Sequence, residues 1–185
     1  MLVLGVDPGS KVTGYGLVEK RANLLTCLHA GTISTSSQRP FYERIHEIFQ
    51  NMLEIMNRYR PEEMAIEDVF FAKNVQSSFK IGHARGAVLI AAVQCGIKIF
   101  EYTPLEIKKA VVGYGGASKE QVRAMIRVIL HLQSDPPLDA SDALAAAICH
   151  LNWVRFDGPQ PLAHGDGVPS SCRSKGDSGP DRGTG

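Results

Sequence analysis

Leu2-Val3-Leu4-Gly5-Val6-Asp7-Pro8-Gly9-Ser10 is the stretch on which the fold turns. Residues 2 to 7 are a short apolar run closed by a turn signal, the pattern of a buried strand whose end presents Asp7. Gly14-Tyr15-Gly16-Leu17-Val18 then alternates, and the charged Glu19-Lys20-Arg21 after it predicts a hairpin tip. Leu24 to Ser34 is β-rich, so three strands with short links predict an antiparallel meander.

Beyond the meander the period changes. Phe41, Ile45, Ile48, Phe49, Met52, Leu53 and Met56 recur at the spacing of one helical face, and Pro61 ends the pattern. Glu63 to Glu67 reads as a short strand, Val75 to Val93 as a helix stopped at Gly96, and Ile97 to Tyr102 as a strand with Pro104 beyond it. Helices over Glu106 to Val111 and Lys119 to Leu132 flank Gly113-Tyr114-Gly115-Gly116, the second opening with Ser118 and Gln121 at capping-box spacing. Asp139 to Val154 is alanine-rich and reads as a helix packed on the sheet. The order predicts an α/β domain over residues 1–156. In 157–185, 7 Gly, 4 Pro and 4 Ser replace large apolar residues, which predicts a disordered tail.

With 185 residues, one core is the default. Hydrophobic residues at 44% and charged residues at 21% exclude collagen-like, coiled-coil and wholly disordered classes. No apolar run approaches the roughly 20 residues of a membrane span, and Met1-Leu2-Val3-Leu4-Gly5 lacks a secretory pattern, so a cytoplasmic protein is expected. Cys27, Cys95, Cys149 and Cys172 stand far apart, giving reduced thiols with Cys95 and Cys149 as small buried hydrophobes. Net charge is only +1, but between Phe71 and Leu130 nine basic residues face three acids, which concentrates positive charge in that stretch.

Asp7 and Glu67 fall at strand ends, and they meet at one sheet edge if their strands are parallel neighbours. Asp139 and Asp142, three apart, share a helical face. Docked on the first strand, that helix brings four carboxylates together. Unpaired, such acids repel one another, and a hard divalent cation removes the conflict. Oxygen-only ligands favour Mg²⁺ or Mn²⁺, and a cage of two such ions suits phosphodiester hydrolysis. Taken singly, Asp7 reads as a turn residue, Glu67 as a solvated strand-end acid, and Asp139 or Asp142 as a helix cap. Gly9 permits a tight turn and close approach of a phosphate, while Gly14 and Gly16 mark a bulge, a close contact or an ordinary hairpin.

Gly5-Val6-Asp7-Pro8-Gly9-Ser10 with Thr13-Gly14-Tyr15-Gly16, Ile66-Glu67-Asp68-Val69-Phe70-Phe71-Ala72-Lys73-Asn74, Arg85-Gly86, Val111-Val112-Gly113 and Asp139-Ala140-Ser141-Asp142-Ala143-Leu144 resemble the RuvC family of Holliday junction resolvases, in order and spacing, to about His150. The resemblance implies a ribonuclease H-like fold, with a mixed five-stranded sheet and helices on both faces. It also implies a homodimer and Mg²⁺-dependent nicking of two opposed strands of a four-way DNA junction, in recombination and repair. Its catalytic acids fall on Asp7, Glu67, Asp139 and Asp142, its lysines near the site on Lys108 and Lys119, and its junction-centre aromatic on Phe70. Handover from a branch-migration motor, RuvA with RuvB, is implied as well. By themselves Lys108 and Lys119 read equally as solvated helix charge or as phosphate contacts. Of Phe70 and Phe71, one reads as core and the other as a base-stacking side chain. The Val75 to Val93 helix, with Phe79, Ile81, Val88, Leu89 and Ile90, is the candidate dimer patch, and a plain core helix gives the same pattern.

An Asp-x-Gly-Ser turn after a first strand also resembles the phosphate-binding start of kinases and actin-like ATPases, which need two such domains where this chain has residues for one. A non-catalytic junction-binding module is the remaining alternative.

Overall fold

The computed structural model describes residues 1–68 and 75–153; Phe70, Phe71 and the 157–185 segment lie outside them. Five strands, β1 (Leu2–Asp7), β2 (Val12–Arg21), β3 (Leu24–Ser34), β4 (Glu63–Glu67) and β5 (Lys98–Tyr102), form one sheet in the order β3-β2-β1-β4-β5. The meander is antiparallel, while β4 runs parallel to β1 and β5 parallel to β4. The sheet is therefore mixed, as expected, with helices on both faces.

β1 is central and buried on both sides, which is why its apolar residues are nearly continuous. Leu4 and Val6 face α1 (Phe41–Tyr59) and α2 (Val75–Gln94), joining Ile48, Met52, Met64, Ile66 and Val88 in one core. Val3 points the other way, toward α3 (Pro104–Val112), α4 (Lys119–Ile129) and α5 (Leu138–Trp153), in a second core with Phe100, Tyr102, Ile126, Leu144 and Ile148. α5 is buried on nearly every side because it lies between the sheet and α3 and α4. Its alanines keep that approach short.

The close approach has a specific cause. A Cβ on Gly5 would overlap the Ala143 carbonyl, and one on Gly14 the Asp139 carbonyl. The α5 backbone thus rests directly on β1 and β2. Of the readings open for Gly14, close contact is the correct one; the register irregularity of β2 falls between Leu17 and Val18 instead. The far half of α5 is tied down by buried His150. Its Nδ1 accepts from the Tyr102 hydroxyl at 2.6 Å, and its Nε2–H donates to Glu63 Oε2 at 2.6 Å. Burial pushes the imidazole pKa down against the pull of Glu63, which suits this neutral, one-donor arrangement.

Several expected boundaries move for local reasons. The hairpin does not turn at Glu19-Lys20-Arg21: the ladder pairs Leu2 with Glu19 and continues to Arg21, and Ala22, with φ 52°, sits in the turn. α3 begins at Pro104, because Thr103 and Glu106 form a capping box and proline fits the first helical position. The Ser118–Gln121 capping box is present, but α4 stops at Ile129 and His131 takes φ 52°. Cys149 is buried, its thiol pushed up to about 12, whereas Cys95 is only half-buried. Among the described residues no helix is long and apolar enough to cross a membrane.

Candidate active site

Asp7 and Glu67 are brought side by side by the parallel pairing of β1 and β4, whose register places Val6 opposite Ile66 immediately before the two acids. Across the hairpin Asp7 pairs with Gly14, and the Asp139 carbonyl lies over that glycine. The first turns of α5 therefore carry Asp139 and Asp142 to the same edge. The fold brings all four expected acids together.

The electrostatics follow. Burial, then the charges of Asp142, Glu67 and Asp139, lift the Asp7 carboxyl from 3.8 to about 7, against the opposing pull of Lys119. Glu67 is raised by burial first and Asp142 second, while Lys119, Lys108 and Arg85 pull it down. Lys119, at the start of α4, donates from Nζ to Asp142 Oδ2 at 2.7 Å, and this hydrogen bond is the main reason its own pKa rises. Glu67, Lys108, Lys119 and Asp142 line a cavity of about 70 Å³. Lys108, on α3, and Lys119, on α4, both stand at the edge of this cavity. Phe70, expected near the same edge, lies outside the described residues.

The turn after Asp7 is held from behind. Buried Thr13 donates from Oγ1 to the Gly9 carbonyl at 2.8 Å, and buried Arg44 of α1 donates to the Ser10 carbonyl and, at 3.1 Å, to Thr35 Oγ1. A Cβ on Gly9 would overlap the Val12 carbonyl, so this turn itself excludes a side chain there. Arg44 was not legible in the sequence, because a basic residue on an amphipathic helix ordinarily faces water. Arg85, quoted above without a role, donates to the Glu67 carbonyl at 2.6 Å.

The donor set fits a hard cation. Every candidate ligand is a carboxylate oxygen, burial and then the charges of the neighbouring acids keep Asp7 proton-hungry, and a lysine ammonium already bonds one of them. Among the described residues no three His, Cys, Asp or Glu side chains are gathered tightly enough to enclose an ion unaided, so a bound cation would have to draw the acids inward.

A ribonuclease H-like fold with a carboxylate cluster at the end of its central strands, bordered by lysines, defines a metal-dependent nuclease. The pattern of one family, described as "Crossover junction endodeoxyribonuclease RuvC", matches residues 3–150. The chain is 49% identical over 152 residues to the crossover junction endodeoxyribonuclease RuvC of Geobacter metallireducens, covering 82% of this chain and 93% of that one. To the RuvC of Citrifermentans bemidjiense it is 51% identical over the same lengths. Among solved structures, T. thermophilus RuvC in complex with a Holliday junction substrate superposes with TM-score 0.80 at 37% identity, covering 88% of this chain and all of that one. The yeast mitochondrial Holliday junction resolvase, at 11% identity and TM-score 0.57, shares the fold. The chain belongs to the RuvC family of crossover junction endodeoxyribonucleases.

Proposed function

We propose that this chain resolves four-way DNA junctions by paired symmetric nicks, with Asp7, Glu67, Asp139 and Asp142 holding two Mg²⁺ ions per site and Mn²⁺ able to substitute. The observation that carries the reading is the state of Asp7, pushed to about 7 by burial and three neighbouring carboxylates, which makes the cluster short of positive charge. Its relative from T. thermophilus was solved with a Holliday junction substrate, which supports the same substrate here.

When bound, the ions supply Lewis acidity for the attacking water and offset charge on the leaving oxygen. The chain's own groups do the rest. Asp7, whose carboxyl feels the charges of the other three acids, would contribute to holding both ions. Lys119 balances Asp142 in the resting site and is free to move to a phosphate oxygen once that charge is otherwise met. Lys108 also lines the small cavity and contributes a second phosphate contact, which gives affinity and position without sequence preference. Water adds to phosphorus as the P–O3′ bond breaks, leaving 5′-phosphate and 3′-hydroxyl ends that a ligase can seal. Phe70, three residues past Glu67 at the end of β4, is proposed to stack on bases at the opened junction centre.

Two matched cuts need two sites related by a two-fold axis, so the working form is proposed to be a homodimer. α2 supports this in part: Val88 belongs to the core, whereas Phe79 and Ile90 are 66% and 61% exposed. With Tyr42 and Phe49 of α1 they line an open, mostly apolar groove of about 990 Å³, suited to a second copy. A cytoplasmic location and handover from RuvA and RuvB complete the proposal. The deciding experiment is cleavage of a labelled four-way junction with and without Mg²⁺, beside a duplex control. Magnesium-dependent nicking of opposed strands in the junction alone is expected; equal cutting of the duplex would make the chain a general nuclease.

A further inference from the structure

Glu67 is the last residue of β4, and its backbone is held by the sheet on one side only. The pairing of β4 with β1 ends at Ile66, opposite Val6, while the pairing with β5 reaches Glu67 opposite Tyr102 and closes with the Asp68 N–H donating to the Tyr102 carbonyl at 2.8 Å. The carbonyl of Glu67 takes its bond from α2: Arg85 Nη1 donates to it at 2.6 Å. The other arm of the same guanidinium is ion-paired with Glu101 of β5, which sits opposite Ile66 in the ladder. Only 13% of the Arg85 side chain is exposed, so both bonds are made in a largely dry setting.

We infer that Arg85 is a positioning residue for Glu67, clamping the end of β4 to β5 through the Glu67 carbonyl and the Glu101 carboxylate and so fixing where the Glu67 carboxylate points. The inference rests on the reading of Glu67 as an ion-holding acid. Its chemical logic is that of a group behind a ligand: a side chain's aim is only as fixed as its backbone, and loss of such outer contacts commonly costs 10- to 100-fold in metal affinity or activity. Arginine suits the task because a planar fork meets two acceptors at once, whereas a lysine ammonium on a flexible stem holds them less rigidly. Arg85 reaches Glu67 from the α2 side of the sheet and bonds its backbone carbonyl, whereas Lys119 bonds the Asp142 carboxylate.

The test compares Arg85→Met, Arg85→Lys and Glu101→Gln with the full-length wild-type chain, reading kcat and KM on a four-way junction, junction Kd without divalent ions, Mg²⁺ affinity by calorimetry, and Tm. Arg85→Met should lower kcat and Mg²⁺ affinity about 10-fold or more with junction Kd unchanged, Arg85→Lys should recover part of both, and Glu101→Gln should fall between. Wild-type kcat and Mg²⁺ affinity with only a lower Tm would reduce Arg85 to a scaffold ion pair and overturn the inference. So would a weakened junction Kd with kcat intact, which would make it a DNA contact. If Arg85→Met does not fold, the other two variants decide on the same readouts. A Glu67→Gln control separates the premise: near wild-type cleavage there would remove the site reading itself, whatever Arg85 does.

Discussion

The backbone carbonyl of Asp139 lies against the α-carbon of Gly14, with no room for a methyl group between them. Gly14 is also the cross-strand partner of Asp7, so its missing side chain, together with that of Gly5 on the central strand, lets the helix that brings two of the four acids rest directly on the sheet. Gly14→Ala must push α5 outward or bend β2. Overpacking of this kind costs about 1–3 kcal/mol, and denaturant unfolding should show a loss in that range. Cleavage should fall further than stability explains, measured at a temperature where the variant is fully folded.

Asp7 should make the metal-free protein sensitive to pH in an unusual direction. Its folded-state value of about 7 exceeds the ordinary 3.8, so the folded state holds this proton more tightly than the unfolded chain. The contribution to stability is complete below about 3.8 and is lost as pH rises through about 7. Thermal melts without divalent ions should therefore show Asp7→Asn gaining on the wild type as pH goes from 5 to 8, and Mg²⁺ should raise the wild-type Tm most at the upper end. The same variant should still bind junctions while failing to cut them.

Lys119 and Asp142 form an ion pair whose lysine is 67% exposed, so the pair adds little to stability. Lys119→Ala should leave Tm nearly unchanged. If Lys119 meets a phosphate, the slope of log affinity against log salt should drop by about one, and cleavage should slow with it. An unchanged slope with unchanged activity would return Lys119 to the solvated surface.

The groove between α1 and α2 gives a prediction about assembly. Phe79 is 66% exposed, so Phe79→Glu should fold with a stability change of about 0.5 kcal/mol or less. Sedimentation should show its dimer dissociating at concentrations where the wild type stays paired, and its junction products should shift from paired to single nicks. A fully dimeric variant would place the interface elsewhere.

Much of this was legible in the sequence for a physical reason: local signals carry their own geometry. The apolar run ending at Asp7, the capping box at Ser118 and the period of α1 each depend on residues a few positions apart, and each stands where expected. The three-residue spacing of Asp139 and Asp142 also survives, because a helix fixes it. What the sequence hid are contacts between distant segments. The burial of Arg44 behind the Asp7 turn and the grip of Arg85 on Glu67 each join residues far apart in the chain with no local pattern to announce them, and at Gly14 a close contact was one open reading whose partner, the Asp139 carbonyl, the sequence did not name. Gly9 is instructive in a different way. Its need for an absent side chain was readable, but the partner is the Val12 carbonyl three residues on.

The central claim is that Asp7, Glu67, Asp139 and Asp142 jointly hold divalent ions. Anomalous diffraction from crystals of the chain soaked in Mn²⁺ tests it most directly. Two manganese peaks, both against Asp7 and divided among Glu67, Asp139 and Asp142, are predicted. Manganese bound elsewhere, with these four carboxylates unliganded in protein that still cuts junctions, would contradict it.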